Sequence, residues 1–261
     1  VKKYFFDEKK FYQVPEEKLD YKSLILEIKF IIISKEIWEK LENSFNKNYL
    51  TIETVYCSSY VRSANYNKSF DNYKKKVIID IGYKKSAIVI FEEKRLLYFN
   101  IIPVGGNHIT NDISLLLKIS FDKAEALKKN LNKSETTFQD KSTQNKENHS
   151  PELANQIIFA RVDEIIKLNL TNEYFNQFFD KNDFCALIFI GDGSNILNKN
   201  SIYLEEKFDF FNEISVYEEN SSIICESGYN FNNSYNFQEV NFSQKKHKNK
   251  GFFEKIFHFF E

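Results

Sequence analysis

The chain has no methionine, one tryptophan, three prolines and seven glycines in 261 residues. So little proline and glycine, with 42% hydrophobic and 28% charged residues, describes an ordinary folded chain and excludes a disordered tail or a repeat array. Cysteine is scarce as well. Cys57, Cys185 and Cys225 are widely spaced, odd in number and form no CxxC, which argues against a disulfide framework or a structural zinc site; they read as small buried hydrophobes. No apolar run reaches the roughly 18 residues that a membrane-spanning helix requires, and no signal peptide opens the sequence, which points to the cytoplasm. Charge of one sign is missing too. With 36 basic against 37 acidic residues the formal net charge is −1, so no global field gathers polyanions and no nucleic-acid partner is expected. The histidines (His108, His149, His247, His258) are scattered without an HExxH and read as solvent or loop residues; the serines form no GxSxG. The chain therefore offers no acid–base or nucleophilic constellation of its own.

What is present is a folding sequence, 42% hydrophobic, with 27 Phe and 15 Tyr. The heavy use of Lys, Asn, Ile, Phe and Tyr follows an AT-rich codon bias, so aromatic excess alone carries no functional meaning. The sequence opens at Val1 in what reads as the middle of a domain, as expected of a piece of a longer protein. Residues 24–33 (LILEIKFIII) form a short isoleucine-rich run that predicts a buried strand, and KEIWEKLENSF follows with helical spacing of Ile37, Trp38, Leu41 and Phe45. Residues 51–61 repeat the pattern, a polar stretch follows at 65–76, and VIIDIG ends in a tight turn at Gly82. SAIVIFE (86–92) and RLLYFNIIPV (95–104) read as an antiparallel hairpin. NHITNDISLLLKI and FDKAEALKKNL predict two helices, and residues 132–150 a polar surface loop. Pro151 opens a long helix, FCALIFI (184–190) is another buried strand, and the sequence beyond Tyr229 turns Asn-rich and then basic, as a linker would.

The glycines are informative because glycine serves where backbone must approach closely or adopt positive φ. Five of the seven, Gly82, Gly105, Gly106, Gly191 and Gly193, sit at predicted strand ends. In open α/β sheets, ligands bind outside the carboxyl ends of the strands, where turn amides and helix amino-termini face phosphate. Three such turns are expected to converge on one nucleotide, although each would also serve as an ordinary tight turn.

The succession DIG (80–82), hairpin, PVGGNHITNDI (103–113), AEALK (124–128) and GDGSN (191–195) resembles the actin-like ATPases, and among them the FtsA family of bacterial cell-division proteins. IIFARVDEI (157–165) adds to that resemblance. It implies an α/β fold, the actin-like (ribonuclease H-like) nucleotide-binding fold, incomplete because no D-x-G candidate for the first phosphate hairpin precedes Asp80. It also implies five parts: 1–75, a remnant of the FtsA-specific subdomain with a connecting helix; 76–130 with 183–231, the second nucleotide-binding domain; 131–182, a small inserted subdomain; 232–250, a basic linker; and 251–261, a terminal amphipathic helix. By resemblance ATP and Mg²⁺ are the cofactors. Asp80 would orient Mg²⁺ and water, Gly82 and Ser86 belong to the second phosphate loop, and Gly105 and Gly106 lie beside the ribose. Glu125 and Lys128 match ribose and adenine contacts, and Gly191, Gly193 and Ser194 the adenosine loop. The family's D-x-G-G-G-T-T-D appears here as DIGYKKSA, with Tyr83, Lys84 and Lys85 crowding the phosphates. Weak binding with little or no hydrolysis is the expectation.

The final segment, GFFEKIFHFFE, can be judged without any family. At about 100° per residue, Phe252, Phe253, Ile256, Phe257, Phe259 and Phe260 fall within an arc of roughly 160°, opposite Glu254, Lys255, His258 and Glu261. Lys245, Lys246, Lys248 and Lys250 precede it, as in monotopic membrane anchors; docking on the chain's own domain and insertion into a partner groove stay open. The resemblance implies an adaptor that tethers FtsZ filaments to the inner face of the cytoplasmic membrane at the division site. Its partners would be the FtsZ carboxyl-terminal tail, met by the 131–182 segment including Arg161, further copies of itself in an actin-like filament, and anionic lipid. A pilus-assembly relative that binds a membrane-protein peptide, an active actin-like ATPase or kinase, and a decayed remnant are the alternatives.

Overall fold

A computed structural model describes residues 3–6, 9–11, 22–27, 30–133, 151–170, 178–179, 183–198, 204 and 208–235. Strands β1 (Lys3–Phe6), β2 (Lys9–Phe11) and β3 (Leu24–Glu27) make a small antiparallel sheet in the order β2-β1-β3. Helix α1 (Lys35–Asn46) follows, with Ser34 as its N-cap. Helix α2 (Ser58–Ser69) leads to the main sheet: β4 (Lys75–Ile81), β5 (Ser86–Glu92), β6 (Arg95–Ile102), β7 (Cys185–Ile190) and β8 (Glu213–Val216). Its order is β6-β5-β4-β7-β8, antiparallel from β4 outward through β6 and parallel from β4 through β7 to β8. Helices α3 (Gly106–Leu117), α4 (Phe121–Lys133) and α5 (Pro151–Leu170) lie between β6 and β7 in sequence; α6 (Ser221–Tyr235) follows β8.

Side chains of a strand alternate between faces, and here the alternation sorts two cores. Val77, Ile79 and Ile81 of β4 face one side with Ile88, Ile90, Leu187 and Phe189, packed against Ile109, Ile113, Val162, Ile165 and Ile166 of α3 and α5. Ile78, Val89, Ile188 and Ile190 face the other, under Ala64 and Tyr66 of α2, with Phe231 of α6 packed beside them. The result is a three-layer α/β/α unit. β4 and β7 are covered on both faces, which is why each reads as a nearly unbroken apolar run. Small residues Ser63 and Ala64 let α2 approach the sheet closely.

Several expectations change. The run 24–33 is a strand only through Glu27, and Phe30, Ile31, Ile32 and Ile33 are exposed, Ile32 at 89%. Helix α1 buries none of its residues, so nothing among the described residues covers that apolar run. Residues 51–57 form no element, and the polar stretch that follows begins inside α2, whose buried face is built from Val61, Arg62, Ser63, Ala64, Tyr66 and Asn67 instead of a conventional apolar stripe. The Asn-rich sequence after Tyr229 remains helical to Tyr235. Helix α5 falls in the range expected for an inserted subdomain, yet Ala154, Ile158, Val162, Ile165 and Ile166 share the main core, so it is a layer of the domain itself. Residues 134–150, the linker beyond residue 235 and the 251–261 segment lie outside the described residues.

Trimming a fully buried strand residue leaves a cavity, whereas trimming an exposed one does not. Ile188→Ala is expected to lower unfolding stability by about 2–5 kcal/mol, and Ile32→Ala to stay within about 0.5 kcal/mol of the parent, both read by urea denaturation. An equal loss at the two positions would show that the 30–33 run is covered.

Candidate functional site

Strands β4 and β7 run parallel, with Asp80 opposite Ile190, so the turns after them emerge side by side at one edge of the sheet. The turn after β4 is tight, Gly82 N–H donating to Lys85 O at 2.9 Å. The amino-terminus of α3 seats directly on it: Gly106 N–H donates to Gly82 O at 2.9 Å and Asn107 N–H to Tyr83 O at 2.7 Å. A Cβ at Gly105 would lie 2.4 Å from Gly82 O, a distance no side chain tolerates. After β7 the chain turns at Gly191, with φ +87°, into a 3₁₀ helix (Asp192–Leu197). A Cβ on Gly193 would meet Ile81 O at 2.7 Å, and one on Gly106 would be 3.7 Å from the Gly193 Cα. All five expected glycines therefore converge, packed backbone to backbone.

The polar residues expected at this site turn mostly inward. The Ser86 hydroxyl donates to Val104 O, and the Ser194 hydroxyl to Gly191 O at 2.7 Å, both fully buried. Lys128 Nζ donates to Gly106 O (3.2 Å), Thr110 Oγ1 (2.7 Å) and Glu125 Oε2 (2.7 Å), pinning α4 to the start of α3. Thr110 also donates to Glu125. Burial alone would raise the Glu125 carboxyl, but the hydrogen bonds from Lys128 and Thr110 outweigh it and hold it below the usual carboxylate range. His108 is a cap, not a loop residue, its Nδ1 accepting from Gly105 N–H at 3.2 Å. Arg161 stands on α5, bidentate with Asp112 of α3 at 2.5 and 2.9 Å and paired with Glu164, neither of which is among the other expected site residues.

Asp80 has a partner that motif reading does not supply. Alternation along β4 turns it towards α2, where the Arg62 guanidinium bridges Asp80 Oδ2 and Glu219 Oε2. Glu219 also accepts from Gly191 N–H at 2.9 Å. Burial pushes the Glu219 carboxyl up; Arg62 pulls it down and the like charge of Asp80 adds to the rise. Tyr66 beside it is raised far above an ordinary phenol by burial and by Glu219. Breaking such a buried pair from one side costs about 3–5 kcal/mol, because the other charge is stranded. The signal for Arg62 in the sequence is a single charge among small residues on the buried face of α2, and for Glu219 there is none beyond its place after β8.

The arrangement decides what could bind. For a divalent cation at Asp80 the residues do not fit: the carboxylate is buried and already paired with Arg62, and among the described residues no group of three or more His, Cys, Asp or Glu could hold a metal. For a nucleotide the fit is partial. The partly exposed Glu125 is tied through Lys128 to the start of α3, but the amides there are already taken, Gly105 N–H by His108 Nδ1, Gly106 N–H by Gly82 O, Asn107 N–H by Tyr83 O and His108 N–H by Gly105 O.

A mixed sheet in this order, helices on both faces and glycine turns meeting at the ends of β4 and β7 define the actin-like fold. MreB5 of Spiroplasma citri bound to AMPPNP superposes with a TM-score of 0.56 over 77% of this chain and 66% of that one, at 17% identity. Its ADP-bound form gives the same TM-score and coverage at 16% identity. Within that fold, residues 77–228 match the family model described as "Cell division protein FtsA", more than half of the chain, and the chain belongs to that family. The FtsA protein of Bacillus subtilis is 34% identical over 100 residues, 35% of this chain and 23% of that protein. That of Enterococcus faecalis is 39% identical over 54 residues, 21% and 12%, and that of Helicobacter pylori 26% over 101 residues, 39% and 20%. The matched stretches thus span less than a quarter of each relative.

Because the Glu125 pKa is depressed in the folded chain, its stabilisation is present above the ordinary carboxylate value of about 4.3 and is lost as pH falls through the folded one. Glu125→Gln is expected to cost about 1–2 kcal/mol at pH 7 and progressively less as pH falls below the ordinary carboxylate range, followed by denaturant melts at a series of pH values. A cost that does not change with pH would mean that the carboxylate charge is not what holds α4 to α3.

Proposed function

We propose that this chain is a division adaptor of the FtsA type that works by binding, not by turnover. It would tether FtsZ filaments to the inner face of the cytoplasmic membrane at the division site, through the apolar arc of residues 251–261 inserted among anionic lipids. The observation that carries the reading is the coexistence of an FtsA-family match over residues 77–228 with groups at the expected site that are already taken: the first α3 amides bonded to the turn at Gly82 and Tyr83, and Asp80 held by Arg62. A protein kept for hydrolysis would leave those groups to its substrate.

The adenosine side is where affinity for ATP would persist, at Glu125, Lys128 and the Gly106 and Gly193 turns. Lys128 is committed to Gly106 O and Thr110, so it would act by fixing Glu125 and the helix start, not by reaching a ligand. Arg161 remains the candidate for the FtsZ tail. Its pair with Asp112 is partly exposed, so a carboxylate on the partner would have to share or displace that pair. Self-association into an actin-like filament would raise the effective concentration of a weak anchor and make it sufficient. No helix among the described residues is long and apolar enough to cross a membrane.

Two measurements test the reading. The purified chain should release no phosphate from ATP above background, and turnover abolished by Asp80→Ala would move the ATPase alternative ahead. Liposomes rich in anionic lipid should co-sediment the chain, less so as salt rises. The Phe253→Glu/Phe257→Glu double variant should stay in the supernatant with its thermal transition unchanged. Binding that persists in the double variant, or a collapse of its melting temperature, would place this segment in the core instead.

A further inference from the structure

Among the described residues, the most unusual charge arrangement is the one behind the glycine turns. Arg62, Asp80 and Glu219 come from α2, β4 and the segment after β8, and their side chains are only 9%, 4% and 2% exposed. One guanidinium faces two carboxylates, so the cluster carries a formal excess of one negative charge. It is also incompletely satisfied: Asp80 Oδ1, Glu219 Oε1 and Arg62 Nε are buried with no hydrogen-bond partner. Gly191 is wedged against it, since a Cβ there would fall 2.4 Å from Asp80 Oδ1. Two carboxylates converging from different elements on one buried positive charge form the electrostatic setting of a divalent-cation site, with the cation supplied by the chain.

We propose that Arg62 is a resident cation standing in for a divalent metal at Asp80, so that the native chain binds no Mg²⁺ or Mn²⁺ there and loss of Arg62 uncovers a latent two-carboxylate metal site. The guanidinium is planar, permanently charged and able to bridge two carboxylates, which a lysine ammonium does less well. It also ties α2 to the strand and turn on which the glycine loops rest, so the sheet edge is held in one arrangement irrespective of metal or ligand. This inference concerns the fixed charge alone and stands whether or not the chain tethers filaments.

The test uses the full 261-residue chain and Mn²⁺ alone, followed by thermal melting and by the Mn²⁺ paramagnetic resonance signal. The parent should melt at the same temperature in EDTA and in Mn²⁺ and should leave the free-ion signal untouched. Arg62→Ala should melt about 10 °C lower in EDTA, recover a large part of that loss in Mn²⁺ and take up one ion. The triple variant Arg62→Ala/Asp80→Asn/Glu219→Gln should fold, lie between the two in stability and be blind to Mn²⁺. If Arg62→Ala does not fold at all, a folded triple variant still shows that stranded charge is the cause, and an unfolded one overturns the proposal in favour of a packing strut. Uptake of Mn²⁺ by the parent that is lost in Asp80→Asn, or an Arg62→Ala variant that Mn²⁺ neither binds nor stabilises, would also overturn it.

Discussion

The parallel pairing of β4 with β7 is the constraint on which the rest of this molecule depends. It aligns Lys75 with Cys185 and Asp80 with Ile190, so two strands distant in sequence end at the same level. Both are buried on both faces, which only a central position between two helical layers permits. Once they end together, the turns after them must share a small volume. Glycine is required there for backbone contact: Gly105 against Gly82 O, and Gly193 against Ile81 O. Alternation along β4 sends Asp80 to the α2 face, into reach of Arg62.

Much of this was legible in the sequence, and for identifiable reasons. β4, β5, β6 and β7 read correctly because fully buried strands leave apolar runs bounded by turn residues, and α5 because Pro151 opens a long periodic stretch. The glycines read correctly because close approach leaves a residue-level mark. The isoleucine run at 30–33 did not, since apolarity shows what could be buried and not whether a partner covers it. α2 was hidden by its composition: its buried face uses Arg62, Ser63, Tyr66 and Asn67, and no hydrophobic stripe announces it.

Within the site, residue types were legible and their partners were not. Ser86, Ser194 and Lys128 sit where motif spacing places them, yet their hydrogen bonds go to Val104 O, Gly191 O and Gly106 O. A motif records a position and leaves open whether the side chain faces a ligand or its own backbone. Arg62 pairs with Asp80 across 18 residues and with Glu219 across 157, distances at which spacing carries no information. The departures at Tyr83, Lys84 and Lys85 and the commitment of the α3 amides fit the same proposal: an actin-like fold in which the turn after β4 is closed over by its own backbone and whose acidic residue has its own counter-charge.

That closure is the central claim, and amide hydrogen exchange tests it most directly. Gly106 and Asn107 N–H should exchange slowly in the free chain, because they are bonded to Gly82 O and Tyr83 O, and ATP with Mg²⁺ should add little to that protection. Fast exchange in the free chain, slowed about tenfold or more by ATP with Mg²⁺, would show that these donors await phosphate and would contradict the account.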